Sequence, residues 1–279
     1  MMCYKINKKT SLCEQKFENH LKNFQKRNTI YNDCILFMKR IGDKMKFSSW
    51  RDAVNGRKQR ERIIKKHMKN GVFFVDPFNT YVDEDVVIGE GSVIYPSTFL
   101  KGKTVISKNC VIGPCSTVEN CEIGEGTEVV NSVVTDSKIS DNSSVGPFAY
   151  IRPNSVIGSD VKIGDFVEIK NAVIGDGTKV SHLTYVGDSD VGSGVNFGCG
   201  TVTVNYDGLK KHRTVIGDNA FIGCNTNLVA PVKVENNAFI AAGSTITDDV
   251  SEFSLAIARA RQVEKKDWAR NAGWNTKKK

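Results

Sequence analysis

A branched aliphatic residue returns at every sixth position over much of this chain. The three series are Val82, Ile88, Ile94, Leu100, Ile106, Ile112 and Val118; Val145, Ile151, Ile157, Ile163 and Ile169; and Ile216, Ile222, Leu228, Val234, Ile240 and Ile246. A period of six fits neither the 3.6 residues of a helical turn nor a plain two-residue alternation. It is typical of a parallel β-helix, in which each hexapeptide supplies a short strand and a turn.

This regularity argues against a loosely patterned β-sandwich, because chance does not hold one phase over six consecutive sites. We therefore predict a mainly β protein in three segments. Residues 1–70 are expected to be a basic and mostly helical segment, and residues 71–250 a β-helix. Residues 251–279 are expected to form a short helix, over 254–261, and a basic tail.

The charge of the chain is concentrated at its start. Residues 1–70 hold 19 Lys and Arg against 6 Asp and Glu, which gives +13, so the rest carries −5 of the overall +8. The basic block has no nucleic-acid-binding motif, and no run of apolar residues is long enough for a membrane span. We expect a cytoplasmic protein that binds neither nucleic acid nor membrane, with its eight cysteines reduced. None of them forms a C-x-x-C pair, so neither a zinc site nor a disulfide framework is expected.

Three features of the repeat region indicate chemistry. Arg152 and Lys170 are 18 residues apart, which is one full coil of three hexapeptides, so we expect them to stack. Two cations about 5 Å apart repel by roughly 3 kcal/mol at an effective dielectric constant of 20, which favours a site for an anion between them. The alternative interpretation is that Arg152 and Lys170 are a pair of solvated surface charges. His182 follows nearby and is a candidate base, and residues 204–213 interrupt the repeat as a polar excursion.

Four longer stretches carry a specific resemblance. Residues 146–153, 164–170, 182–188 and 200–208, which read GPFAYIRP, GDFVEIK, HLTYVGD and GTVTVNYDG, resemble the bifunctional glucosamine-1-phosphate N-acetyltransferase / N-acetylglucosamine-1-phosphate uridyltransferase family, GlmU. The resemblance covers about residues 70–262. It implies a left-handed β-helix, a homotrimer, and acetyl transfer from acetyl-CoA to an amino-sugar phosphate, most simply glucosamine-1-phosphate, without a metal ion.

The same resemblance implies a role for each matching position. His182 would be the proton acceptor, oriented by Glu168. The acceptor sugar phosphate would contact Arg152, Lys170, Tyr185, Asn196 and Lys211, and acetyl-CoA would contact Cys199, Asn205, Tyr206, Cys224, Ala242 and Arg259. Cys199 and Cys224 stand where some relatives have Ala and Ser.

The Gly-rich nucleotide loop of the family's uridyltransferase domain has no counterpart in this sequence. Residues 25–70 resemble only a shortened end of that domain, including Asn55, so we expect acetyl transfer without uridylyl transfer. Two alternative functions have to be compared with the sequence. A γ-type carbonic anhydrase needs three histidines around a metal, whereas the repeat region has His182 and His212. A non-catalytic trimeric scaffold that binds sugar phosphates remains the second reading.

Overall fold

The computed structural model describes residues 50–274, with side chains from Gly56 onward. The chain divides into two compact units, Met1–Lys58 and Gln59–Lys279. Of the first unit, only the start of helix α1 (Trp50–Lys69) is described. The second unit is a parallel β-helix, so the predicted fold is confirmed. Most of the predicted remnant at residues 25–70 lies outside the described residues, and the part within them, from Trp50 on, is helical.

Short strands wind into three parallel sheets. From β1 to β26 each strand pairs with the strand three positions later in the chain, and β28 pairs with β30. Sheet A consists of β1 (Phe73–Phe74), β4 (Val93–Ile94), β7 (Val111–Ile112), β10 (Glu128–Val129), β13 (Ser144–Val145), β16 (Lys162–Asp165), β19 (Lys179–His182), β22 (Asn196–Phe197), β25 (Phe221–Ile222), β28 (Phe239–Ile240) and β30 (Leu255–Ala256). Sheet B consists of β2 (Thr80–Val82), β5 (Thr98–Lys101), β8 (Thr117–Glu119), β11 (Val133–Thr135), β14 (Tyr150–Ile151), β17 (Glu168–Lys170), β20 (Tyr185–Gly187), β23 (Val202–Val204), β26 (Asn227–Val229) and β29 (Thr245–Ile246). Sheet C consists of β3 (Val87–Ile88), β6 (Val105–Ile106), β9 (Glu122–Ile123), β12 (Lys138–Ile139), β15 (Val156–Ile157), β18 (Val173–Ile174), β21 (Ser189–Val191), β24 (Thr214–Ile216) and β27 (Val232–Val234).

The aliphatic residues of the six-residue series fill the interior. Ile151, Ile157 and Ile163, for example, come from three successive strands of one coil and are fully buried. Turns between strands need left-handed backbone angles, and Asn or Asp occupies many of these positions, as at Asn154 (φ 63°) and Asn171 (φ 47°). The sequence repeat thus encodes both the core and the corners of the prism.

The part of helix α1 from Gln59 onward covers the first coil of the prism. Ile64 on this helix is buried in the same core as Val72 and Phe74. The guanidinium of Arg60 lies 4.4 Å from the centre of the Tyr81 ring. A terminal coil has no neighbour to cover it, so a packed helix serves as its cap.

The end of the β-helix differs from the prediction. The expected helix over 254–261 is absent, and Leu255–Ala256 instead form strand β30, paired with Phe239–Ile240. The backbone N–H of Ala241 donates to the carbonyl of Ala256, and that of Thr245 donates to the carbonyl of Ala258. The first bond lies at the open edge of sheet A and the second at that of sheet B, and a helix would have left both edges unpaired. The β-helix therefore continues beyond residue 250, and the C-terminal helix α2 is Trp268–Asn271.

Two neighbouring residues of β15 allow a matched test of this core. Ile157 is fully buried, whereas Val156 is 43% exposed. We expect Ile157→Ala to lower the free energy of unfolding by about 2–5 kcal/mol, because it leaves a cavity among close-packed rungs. Val156→Ala should change it by about 1 kcal/mol or less. Denaturant unfolding at one fixed protein concentration measures both, and equal losses would contradict this division into core and surface.

Candidate active site

Most of the predicted site residues gather along two edges of the prism, where the strands of sheet B begin and where they end. Asp165 and His182 lie where the chain leaves sheet A and turns into sheet B. Arg152 and Lys170 lie at the carboxyl ends of the sheet B strands, at the opposite edge. Between them, Tyr185 lies on the outer face of the sheet, next to Glu168 on the preceding coil. This face could therefore hold a ligand that reaches both edges.

At the first edge, a carboxylate orients the candidate base. The Nδ1 atom of His182 lies 2.5 Å from Oδ1 of Asp165. This hydrogen bond lowers the pKa of Asp165, so the group is a carboxylate near pH 7. A carboxylate only accepts hydrogen bonds, so Nδ1 of His182 carries a proton, and in the neutral imidazole Nε2 then has the free lone pair. The imidazole is more than half exposed, so Nε2 is available to accept a proton from a ligand.

At the opposite edge, three cations and one carboxylate are collected. Arg152 donates to Glu168 Oε1 across 2.6 Å, which raises the pKa of Arg152. Lys211, from the excursion, lies beside Lys170, and the interaction between the two side chains lowers the pKa of Lys170 below its ordinary value. Partial desolvation and the charge of Arg152 lower it further. The predicted stacking of Arg152 over Lys170 is present, but Lys211 is the cation with the larger effect on the pKa of Lys170.

The expectation that Glu168 orients His182 is wrong in this structure. Glu168 is bound to Arg152, and Asp165 is the partner of His182. The reason is the register: Asp165 and His182 are paired across adjacent strands of sheet A, whereas Glu168 belongs to sheet B. The sequence contained a signal for Asp165. It lies 17 residues before His182, which is one coil containing a five-residue step.

The excursion is a compact hairpin held by one carboxylate. Asp207 accepts hydrogen bonds from the backbone N–H groups of Leu209 (2.7 Å) and Lys210 (2.8 Å) and lies 2.6 Å from Nε2 of His212. These bonds lower the pKa of Asp207 to about 2. Tyr206 and Lys211 form an antiparallel bridge across the hairpin. The position of the Lys211 backbone is therefore fixed although the hairpin is exposed.

Asn205, at the start of the excursion, belongs to the edge that carries the cations. Its amide donates to the buried carboxylate of Asp188 and, across 3.3 Å, to the hydroxyl of Tyr185. The Tyr185 ring lies over Gly187, where a Cβ atom would come within 2.3 Å of the hydroxyl oxygen. Asn205 was expected to contact the coenzyme, but the structure brings it to the predicted acceptor residues. Tyr206 is exposed beside it.

The other predicted coenzyme positions form a column of small residues. Following the register of sheet A, His182, Cys199, Cys224 and Ala242 occupy the same corner on successive coils. Backbone hydrogen bonds join these turns, from Asn225 N–H to Cys199 O (2.8 Å) and from Gly243 N–H to Cys224 O (2.7 Å). The side chain of Arg259 lies at the Gly243 turn, at the far end of the column. The column is therefore continuous with His182.

Asn196 is the predicted acceptor residue that the chain does not bring to the others. It lies on the outer face of sheet A, whereas Tyr185 lies on the outer face of sheet B. Within the described residues, no group of three or more His, Cys, Asp or Glu side chains is arranged to hold a metal ion. No helix in the same part of the chain is long and apolar enough to cross a membrane.

Comparison with known proteins places this site in context. The model of the GMPPB C-terminal domain matches residues 133–207, and the model of six bacterial transferase hexapeptide repeats matches residues 213–248. Among solved structures, an Arabidopsis UDP-N-acetylglucosamine acyltransferase aligns with a TM-score of 0.38 at 17% identity, over 74% of this chain and 76% of that chain.

Sequence comparison with curated proteins is more specific. The chain is 61% identical to the bifunctional protein GlmU of Acetivibrio thermocellus over 221 residues, which cover 79% of this chain and 48% of that protein. It is 51% identical to GlmU of Clostridium botulinum (strain Kyoto / Type A2) over 271 residues, which cover 91% of this chain and 59% of that protein. The chain thus spans about half the length of the curated relatives it matches. Its hexapeptide β-helix belongs to the GlmU family.

Proposed function

We propose that this protein transfers the acetyl group of acetyl-CoA to the amine of an amino-sugar phosphate, and that the acceptor is glucosamine-1-phosphate. The observation that carries this proposal is the arrangement on sheet B. A cation pair, Lys170 and Lys211, lies at one edge, and an oriented base, His182, lies at the other. An amino-sugar phosphate has an anionic end and a basic end that match these two edges.

In this mechanism, the phosphate binds at Lys170 and Lys211, with Arg152 nearby. The hexose ring lies along Tyr185, and the amine is directed towards His182. The amine nitrogen attacks the thioester carbon, a C–N bond forms, and the C–S bond breaks to release the coenzyme thiolate. Nε2 of His182 accepts the proton that the amine loses, while Asp165 holds the ring in the tautomer that allows this transfer. The proton can then pass to the leaving thiolate.

The column of small residues supports an extended coenzyme beside His182. Cys199, Cys224 and Ala242 leave room along the corner, and Arg259 at its end offers a positive charge for the coenzyme phosphates. Loss of uridylyl transfer and a cytoplasmic location remain predictions from the sequence. A sugar-phosphate-binding scaffold without activity is the alternative, and it predicts binding of glucosamine-1-phosphate without release of coenzyme thiol.

Two substitutions separate the proposed roles of the two edges. We expect His182→Ala to lower kcat by about 10²–10⁴-fold with little change in KM, because it removes the proton acceptor. Asp165→Asn should lower kcat less, because the base is kept but its orientation is lost. Lys170→Ala should raise KM for glucosamine-1-phosphate by about 10–100-fold, since it removes a charge-assisted contact.

Thiol release with varied glucosamine-1-phosphate and acetyl-CoA measures these constants. Lys103→Ala, an exposed lysine on an early coil, is the matched control for the loss of one charge. The proposal fails if His182→Ala keeps a normal kcat, or if Lys170→Ala changes only the KM for acetyl-CoA.

We further propose that the active unit is a homotrimer whose site lies between chains. Phe148, Phe166 and Leu183 form an apolar ridge along the corner that carries Asp165 and His182, and all three are more than half exposed. Phe148 and Phe166 are stacked with their ring centres 5.5 Å apart. Each of the three has a left-handed φ (45–59°), which is costly for a bulky residue.

A second copy of the chain is the occupant that also completes the site. Asn196 and Tyr185 lie on different faces of one prism, so a sugar that contacts both must lie between two copies. Packing another prism against the ridge would cover the apolar side chains and would shield His182 from water. Both arguments point to the same corner as the interface.

Phe166→Asn tests this interface without straining the turn, because Asn tolerates left-handed angles. We expect wild-type chain to sediment as a trimer at micromolar concentration, and Phe166→Asn to dissociate and lose most of its activity. Phe253→Asn is the matched control, since Phe253 is also exposed with a left-handed φ of 57° but lies away from the ridge. A wild-type sedimentation mass near 30.8 kDa, that of one chain, would contradict the trimer.

A further inference from the structure

Asp188 is a buried carboxylate to which the mechanism above gives no role. It is 5% exposed and stands at the corner between sheets B and C with a left-handed φ of 48°. Its oxygen Oδ1 accepts from the amide of Asn171 across 2.5 Å, and Oδ2 accepts from the amide of Asn205. Burial of a charge is unfavourable unless hydrogen bonds and opposite charges compensate it. A carboxylate kept at this buried position therefore points to a functional role for its charge.

The backbone of Asp188 joins the parts of the cation cluster. Its N–H donates to the carbonyl of Lys170 across 2.9 Å, and its carbonyl accepts from the N–H of Thr214 across 3.1 Å. Thr214 is the first residue after the excursion, and Asn205 is the residue at its start. Asp188 thus holds both ends of the segment that carries Lys211.

The carboxylate also fixes which way the Asn205 amide points. Because Asp188 can only accept, the nitrogen of the amide must face it, and the amide oxygen must face away. The same nitrogen donates to the hydroxyl oxygen of Tyr185, so the hydroxyl hydrogen of Tyr185 stays available as a donor. Asn205 therefore presents an acceptor, and Tyr185 a donor, to a ligand on the face of sheet B.

The negative charge of Asp188 acts on both lysines of the pair. It attracts the ammonium groups of Lys170 and Lys211, and so opposes their mutual repulsion and that of Arg152. The other charged groups around Lys170 do not replace it. Glu168 is bound to Arg152, and Asp190 accepts from Arg213 at 2.9 Å and 2.5 Å. Arg213 also feels the charge of Asp188. Among the described residues that act on the pair, Asp188 supplies the countercharge.

We propose that Asp188 is a positioning residue for the acceptor: its carboxylate orients the amide of Asn205 and partly neutralises the Lys170–Lys211 pair so that both ammonium groups stay charged for the phosphate. This inference rests on the proposed function for the identity of the sugar. It assigns Asp188 no contact with the reacting atoms. Its effect should therefore appear in the binding of the acceptor and not in the chemical step.

Asp188→Asn removes the charge while the hydrogen bonds can be kept. The new amide can accept from Asn205 with its oxygen and donate to Asn171 once the Asn171 amide has flipped. We expect KM for glucosamine-1-phosphate to rise about ten-fold or more, with kcat and the KM for acetyl-CoA within about two-fold of wild type.

The pH dependence of acceptor binding gives a measurement that would stay unchanged if Asp188 had a purely structural role. Lysine is charged below its pKa, so acceptor binding weakens as pH rises through the pKa of Lys170. Removal of the Asp188 charge lowers that pKa further. The alkaline loss of acceptor binding should therefore begin at lower pH in Asp188→Asn than in wild type, and an unchanged profile would overturn the proposal.

A double variant separates charge from structure. In Asn171→Asp/Asp188→Asn the chain of hydrogen bonds from residue 171 through 188 to Asn205 can be retained, and the carboxylate returns one coil away. We expect this variant to recover a large part of the lost acceptor affinity. Asp160→Asn is the matched control, because Asp160 also occupies a left-handed turn (φ 56°) but is exposed. A double variant no better than the single one, or an equal effect of Asp160→Asn, would overturn the proposal.

Calorimetric titration with inorganic phosphate and with glucosamine-1-phosphate distinguishes this proposal from the proposed function. If the wild-type chain binds both ligands but releases no coenzyme thiol, acetyl transfer is refuted while the role of Asp188 can still be read from the binding of the variants. If Asp188→Asn binds both ligands as tightly as wild type while turnover of the wild type is normal, the role of Asp188 is refuted and the function stands. Thermal unfolding of each variant shows whether the comparison is between folded proteins.

Discussion

The backbone hydrogen bonds between successive coils determine the rest of this structure. The N–H of Arg152, for example, donates to the carbonyl of Ile169 across 2.8 Å, and equivalent bonds repeat along all three sheets. They set adjacent coils roughly 4.8 Å apart and in register. Every outward side chain therefore has a fixed neighbour one coil away. The pairing of Asp165 with His182, and the stacking of Arg152 and Lys170, are both consequences of this register.

The sequence predicted the fold and the stacked cations because both depend on the repeat alone. The family resemblance implied Glu168 as the partner of His182. The register, with its five-residue step between Ile169 and Ile174, instead pairs His182 with Asp165. The sequence also placed a helix over residues 254–261, where local composition favours one. The open edge of sheet A decided that segment instead, through pairing of Leu255 and Ala256. Tertiary hydrogen bonds outweighed local preference.

The contact between Lys170 and Lys211 could not be predicted from the repeat, because Lys211 lies in the segment that leaves it. The place of Lys211 depends on the hairpin, which Asp207 closes by accepting two backbone N–H groups and by binding His212. It depends equally on Asp188, which holds the residues at both ends. Asp207 has no periodic relation to the lysines. Asp188 follows Lys170 by 18 residues, about one coil, but its contact with Asn205 on the excursion is not encoded in the spacing of the repeat.

The charges at this edge explain how such a site could select a phosphate. Arg152 already has a carboxylate partner in Glu168, whereas Lys170 and Lys211 lie beside each other and share the attraction of Asp188. Repulsion between the two ammonium groups raises the free energy of the site without a ligand. A phosphate monoester, with a charge of about −1.5 to −2 near pH 7, removes this repulsion when it binds between them. An amino sugar without a phosphate forms hydrogen bonds at the same place but leaves the repulsion unrelieved. The contact between the two lysines, which is unfavourable without a ligand, therefore favours the phosphorylated sugar over the unphosphorylated one.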